Sequence, residues 1–291
     1  MVSDIALLEV NASAETEKLE ELLSLEHLDE IAIHLTSSTA VQKLLGSPEL
    51  LEKITELVLT DRSTHFASAA SPISEFPTAT MRRVEKLDFW NCPSLRKVEL
   101  GASLHLLHVR IWKCDINDVT CLKFAPLLQT LAIFECPELG MILSNDDVGS
   151  SEDVFGTDIF PFLVNLFLTD LPKMIRICSG VAKFHSLKKL HVDNCSDLRW
   201  LPFDANSAQN LEEIIGEKSW WNNLQWASEA CHCFFLQKYD SNPRGRTYYL
   251  KMELRRVMEK LMVIGVTEII FEECCSSVNF PLCAAKINIL L

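Results

Sequence analysis

Residues 84–92 read VEKLDFWNC, residues 106–114 read LLHVRIWKC, and residues 128–136 read LQTLAIFEC. They share one frame: apolar, two free positions, apolar, one free position, apolar, two free positions, cysteine. Val84, Leu87, Phe89 and Cys92 fill it first, then Leu106, Val109, Ile111 and Cys114, then Leu128, Leu131, Ile133 and Cys136. Residues 187–195, LKKLHVDNC, are a further copy ending on Cys195. Residues 28–36 (LDEIAIHLT), 54–62 (ITELVLTDR) and 163–171 (LVNLFLTDL) keep the apolar positions and change the last one. Successive copies start 22 to 35 residues apart, most within the 20–29 of a leucine-rich repeat.

The spacing dictates local structure. An apolar-x-apolar core is a short strand whose alternate side chains point inward. Each strand pairs with the next, and stacked units bury one continuous apolar column. The expected fold is α/β: a leucine-rich-repeat solenoid, or horseshoe, of about seven irregular repeats. A cysteine where the chain leaves the strand suits a small buried hydrophobe with a weak donor. Cys92, Cys114, Cys136 and Cys195 are therefore expected to be structural free thiols.

Between the first two copies, Thr39 and Gln42 resemble a capping box, and Gly46 and Pro48 a helix stop. A short helix is expected there, and a second over Glu15–Leu25. The longer steps contain Ser63–Ala79 and the acidic Ser144–Asp158, both expected to be surface loops. After Ala230 the composition changes. Residues 231–291 hold 8 Lys/Arg against 6 Asp/Glu, whereas the whole chain has a net charge of −13. This places a boundary between a repeat domain, 1–230, and a poorly packed C-terminal extension, 231–291, expected to be helical in part or disordered. Leu250, Leu254, Val257, Met258 and Leu261 have helical spacing within it.

A chain this acidic repels nucleic-acid phosphates and anionic membrane surfaces. Its start, Met1-Val2-Ser3-Asp4, lacks the basic flank and apolar centre of a signal peptide, and no apolar run is long enough to span a bilayer. A cytoplasmic location is expected.

Strand residues that do not point inward face a concave surface, where a partner would sit. The position after the second strand apolar reads His34, Thr60, Trp90, Trp112, Phe134, Thr169, Asp193. The middle strand position reads Ala32, Val58, Asp88, Arg110, Ala132, Phe167, His191. Exposed neighbouring aromatics mark interfaces. The candidate partner-binding residues are accordingly an aromatic row of Trp90, Trp112 and Phe134, which Phe167 is expected to extend, with Asp88, Arg110 and His191 beside it. The alternative is that the rings pack on each other or under other segments.

Several phrases resemble plant intracellular disease-resistance receptors of the coiled-coil, nucleotide-binding, leucine-rich-repeat class, in their C-terminal repeat region. Leu22–Leu59 is similar to its early repeats and Phe160–Pro172 to its late ones. Leu187–Phe203 (LKKLHVDNCSDLRWLPF) and Asn210–Trp226 (NLEEIIGEKSWWNNLQW) resemble its closing repeat, with Ile215-Gly216, Trp220-Trp221 and Leu224-Gln225-Trp226 the most specific signature. The resemblance covers roughly residues 1–229. It implies a protein-recognition module of innate immunity that senses effectors and restrains a nucleotide-binding domain. Its partners would be proteins: a pathogen effector, a guarded host protein, or that domain. The sequence has no GxxxxGK[ST] loop, so nucleotide binding does not carry over.

No catalytic, cofactor-binding or metal-binding residues are expected. Cys231-His232-Cys233 and Cys274-Cys275 lack the paired spacing of structural zinc. His105-Leu106-Leu107-His108 lacks a zinc-protease glutamate, and GxSxG and GxGxxG are absent. The acidic run Glu15–Glu21 is expected to be a solvated face. The alternative function, substrate recognition in a ubiquitin-ligase adaptor, needs an adaptor-binding segment that residues 1–24 are too short to hold.

Overall fold

The structure, a computed structural model, describes residues 6–8, 12–23, 29–60, 75–77, 81–100, 105–143, 160–204 and 206–241. Ten strands form one parallel sheet in chain order: β1 (Ala6–Leu8), β2 (Ile31–Leu35), β3 (Ile54–Thr60), β5 (Lys86–Trp90), β7 (His108–Trp112), β8 (Thr130–Phe134), β10 (Asn165–Thr169), β12 (Lys189–Asp193), β13 (Glu213–Gly216) and β14 (Tyr239–Asp240). β4 (Glu75–Pro77) pairs with β6 (Lys97–Glu99), and β9 (Met141–Leu143) with β11 (Arg176–Cys178), as two smaller parallel sheets.

Register aligns the apolar frame. Leu57, Leu87, Val109, Leu131, Leu166 and Leu190 fall in one column. Leu59, Phe89, Ile111, Ile133, Leu168 and Val192 fall in a second. All are buried. Strand alternation puts both columns on one side of the sheet, and that side is the core. Each leucine contributes there; truncation of such a residue to alanine costs about 2–5 kcal/mol.

The exit from each strand is also repeated. Asn91, Lys113, Glu135, Asp170 and Asn194 have φ of 52°, 53°, 52°, 53° and 49°. The left-handed residue swings the chain off the strand while its own N–H extends the ladder: Asn91 donates to the Trp112 carbonyl at 2.7 Å and Glu135 to that of Thr169 at 2.9 Å. Asn and Asp tolerate this conformation best. The next residue then points inward. The Cys136 thiol donates to the Phe134 carbonyl at 3.3 Å, and that of Cys195 to the Asp193 carbonyl at 3.3 Å. Burial pushes Cys136 and Cys195 up to about 12. Hydrogen bonding with Cys92, then burial, raises Cys114 well above the ordinary thiol value. The described cysteines are free thiols.

Among the described residues the α-helices lie toward the two ends, with a 3-10 turn at Thr120–Phe124 between β7 and β8. α1 (Ala12–Leu23) packs on α2 (Ser38–Leu45), followed by α3 (Pro48–Leu51). Ser37, not Thr39, caps α2, accepting from the Ala40 N–H at 3.2 Å; the helix stops at its C-cap Gly46 as expected, and Pro48 then begins α3. Glu15 is 1% exposed, so the expectation of a solvated acidic face fails at this residue. Its carboxylate accepts from the Thr36 N–H (2.8 Å), the Thr36 hydroxyl (2.6 Å) and the Ser37 N–H (2.9 Å), which compensates its burial.

At the other end, α4 (Lys218–Asn222) and α5 (Glu229–Leu236) close the sheet around β13 and β14. Trp220 donates to the Leu198 carbonyl at 2.9 Å. Trp221 stacks on Tyr239, centroids 4.1 Å apart, and the Tyr239 hydroxyl donates to the Gly216 carbonyl at 3.1 Å. Cys231 and Phe235 are buried. The first ten residues after Ala230 therefore lie on the sheet, held by aromatic packing that a net-charge count does not register. Residues 242–291, with the helical spacing at 250–261, lie outside the described residues, as does Ser144–Asp158. Within the segment expected as the Ser63–Ala79 loop, β4 is a strand.

The first copy is corrected in register. Ile33 pairs with Leu57 and Leu35 with Leu59, so His34, not Ala32, stands opposite Val58. A register irregularity also falls between Ile31 and Ala32. A two-residue slip leaves every side chain on its own face, so the apolar pattern alone does not choose between the alignments.

Candidate protein-binding face

Three columns of side chains stand on the face opposite the core. The first runs Glu56, Lys86, His108, Thr130, Asn165, Lys189. The middle one runs Val58, Asp88, Arg110, Ala132, Phe167, His191. The third runs Thr60, Trp90, Trp112, Phe134, Thr169, Asp193.

Trp90, Trp112 and Phe134 do form a row, with Trp90 and Trp112 edge to face at 5.2 Å and 84°. Phe167 does not extend it. It pairs with Ala132 in the middle column, while Thr169 stands beside Phe134, because Phe167 lies two residues earlier in its strand. Phe167 instead lies against His191, centroids 6.1 Å apart.

The expectation that these rings are exposed is corrected. Trp90, Trp112, Phe134 and Phe167 retain 6, 7, 8 and 7% exposure, and Asp88 and His191 2 and 5%. Strand alternation fixes the side of the sheet, not the degree of exposure. Trp112 donates to Glu135 at 3.1 Å, and Lys113 lies 4.9 Å from the Trp112 ring centre. Trp90 Nε1 is buried without a hydrogen-bond partner among the described residues. Arg110 is the exception among the seven candidates. Its side chain keeps 21% exposure while its Nε donates to Asp88 at 2.8 Å and its guanidinium lies 5.7 Å from the Trp90 ring centre.

The half-buried polar groups are mostly in the first column, which the sequence reading passed over. Lys86 pairs with Glu56 across β5 and β3. Burial and the charges of Lys86 and Arg110 hold His108 below its ordinary value. Strand alternation alone places this column on the same face, so the signal was present in the repeat frame.

Among the described residues no group of three His, Cys, Asp or Glu side chains converges as a metal site. On α5, Cys231 faces Phe203, His232 lies against Trp221 and Trp226, and Cys233 is exposed. No helix among the described residues is long and apolar enough to cross a membrane.

The fold and this face define a repeat-like α/β scaffold with a mixed aromatic and charged surface. Over about three quarters of its length the chain is a relative of plant disease-resistance proteins. It is 30% identical over 239 residues to the disease resistance protein RPS5 of Arabidopsis thaliana, covering 75% of this chain and 26% of that protein. It is 29% identical over 233 residues to the disease resistance protein SUMM2 of the same plant, covering 75% of this chain and 25% of that protein. The chain thus spans about a quarter of the length of the curated relatives it matches. No family model matches the chain, and no solved structure matches it.

Proposed function

We propose that this chain is a leucine-rich-repeat solenoid of about seven irregular repeats serving as a protein-recognition module of plant innate immunity. The observation that carries the reading is the in-register stack of LxxLxLxxC units in a chain related to disease-resistance proteins. In this reading the chain senses an effector or a guarded host protein and restrains a nucleotide-binding domain. It works in the cytoplasm and catalyses no reaction. In this reading the repeat domain extends to about residue 240, supported by the pairing of β14 with β13.

The partner contacts the face opposite the core. Arg110 and the first column supply its accessible groups, and Trp90, Trp112, Phe134 and Phe167 form its apolar floor. The test is calorimetric titration of the purified chain against a separately produced nucleotide-binding domain of this receptor class. Lys189→Glu, on this face, should weaken association about ten-fold or more, and Lys173→Glu, in a turn away from it, should leave it unchanged. Equal binding by both variants would overturn the assignment of the face. No binding by the wild-type chain would overturn contact with that domain.

A further inference from the structure

Charge on the front face is concentrated on three neighbouring strands. Glu56 on β3, Lys86 and Asp88 on β5, and His108 and Arg110 on β7 occupy two adjacent columns. Lys86 is paired with Glu56 and Arg110 with Asp88. Two cations thus meet two carboxylates, and the cluster is balanced as long as His108 is neutral. In register His108 stands between Lys86 on β5 and Thr130 on β8, so neither cross-strand neighbour is an acid. The charged groups facing it are Lys86 and Asp88 from β5, Glu56 from β3 and Arg110 from its own strand; β8 brings Thr130 and Ala132. Both carboxylates are already committed to a cation. The His108 ring is half-buried, and the Lys86 and Arg110 side chains keep 17% and 21% exposure, so a partner group can approach all three.

We propose that Lys86, His108 and Arg110 form a proton-linked site for a carboxylate side chain on an acidic segment of a protein partner. This rests on the reading of the front face as the contact surface. A carboxylate entering here adds one negative charge to a balanced cluster, and protonated His108 supplies the one positive charge that restores balance. Without the ligand, Lys86, Arg110 and burial oppose that protonation. With it, the opposing field is relieved. Binding and proton uptake therefore favour each other, by the reciprocity that holds for any two linked ligands. Affinity should rise as pH falls through the histidine range, and the bound acid should raise the His108 pKa.

The experiment uses the full chain and a fluorescein-labelled oligo-glutamate peptide, followed by anisotropy at about pH 5.5 and about pH 7.5. Binding should be about ten-fold tighter at the lower pH, within the usual range of coupling between sites, and an oligo-glutamine peptide should not bind. His108→Asn should remove the pH step, His185→Asn should keep it, and Lys86→Gln should weaken binding at both pH values. Nuclear magnetic resonance of the wild-type imidazoles keeps the test independent of variant folding: the peptide should raise the His108 pKa. A pH step that survives in His108→Asn, or a His108 titration that the peptide leaves unmoved, overturns the proposal. Proton-linked binding of inorganic phosphate without binding of the peptide overturns the carboxylate assignment. Intact proton-linked peptide binding, with no association to a nucleotide-binding domain, counts against the proposed function alone.

Discussion

Gly216 lies directly against the indole of Trp220: a β-carbon on Gly216 would stand 2.3 Å from ring carbon Cε3 and 2.4 Å from Cζ3. The contact closes the last strands of the sheet, because Trp220 is also anchored to the Leu198 carbonyl. Gly216→Ala must displace a ring that is buried and hydrogen-bonded to Leu198. Overpacking of this kind costs about 1–3 kcal/mol. Denaturant unfolding should show a lower midpoint for Gly216→Ala, and an unchanged midpoint would mean that Trp220 repacks freely.

The closing unit makes a truncation informative. Ending the chain after Ala230 deletes Cys231, Phe235 and Tyr239, and with them the Trp221 stack and the β13–β14 pairing. Loss of one buried aromatic alone costs about 3–5 kcal/mol. A chain ending at Ala230 should melt several degrees below one ending at Ser241. Equal melting temperatures would show that α5 and β14 contribute little to closure.

Asp88 and Arg110 predict an asymmetric pair of substitutions. The Asp88 side chain is 3% exposed and that of Arg110 21%. Arg110→Ala strands a buried carboxylate, and breaking a buried pair in this way costs about 3–5 kcal/mol. Asp88→Ala leaves a guanidinium that can still hydrate, so it should cost less. Thermal unfolding of both single variants and the double variant should rank Arg110→Ala as the least stable, with the double variant partly restored. The reverse order would place the buried charge on the wrong residue.

The thiols set an alkaline limit. Cys136 and Cys195 lie at about 12 in the fold against an ordinary 9.0. A group raised on folding gives stability that is complete below its unfolded value and lost as pH rises toward the folded one. Stability should therefore fall between about pH 9 and pH 12. In the native state near neutral pH, alkylating reagents should modify exposed Cys233 and spare Cys114, Cys136 and Cys195. Rapid native labelling of Cys136 would show that the strand exits open.

His108 has the opposite sign. Its value is depressed on folding, so its contribution is present above the unfolded value of 6.5 and lost as pH falls through the folded one. His108→Asn should flatten the acid side of the stability profile below pH 6.5. An unchanged profile would assign acid sensitivity to other groups.

The sequence by itself determined the scaffold. Leu87, Val109 and Leu131 recur at one place in a fixed frame, and a period-two strand allows them only one side of the sheet. It likewise placed Trp90, Trp112 and Phe134 together on the opposite side, since register follows from the same frame. Local spacing says nothing about how far neighbours crowd a ring, so the burial of Trp90 and Trp112 was decided only in three dimensions. The same holds for β2, where a slip of two residues preserves the facing of every side chain. The tertiary structure also brought β14 onto the edge of the sheet. The Trp221–Tyr239 stack joins α4 to β14, and such a contact is fixed by shape complementarity between closing elements rather than by any periodicity along the chain.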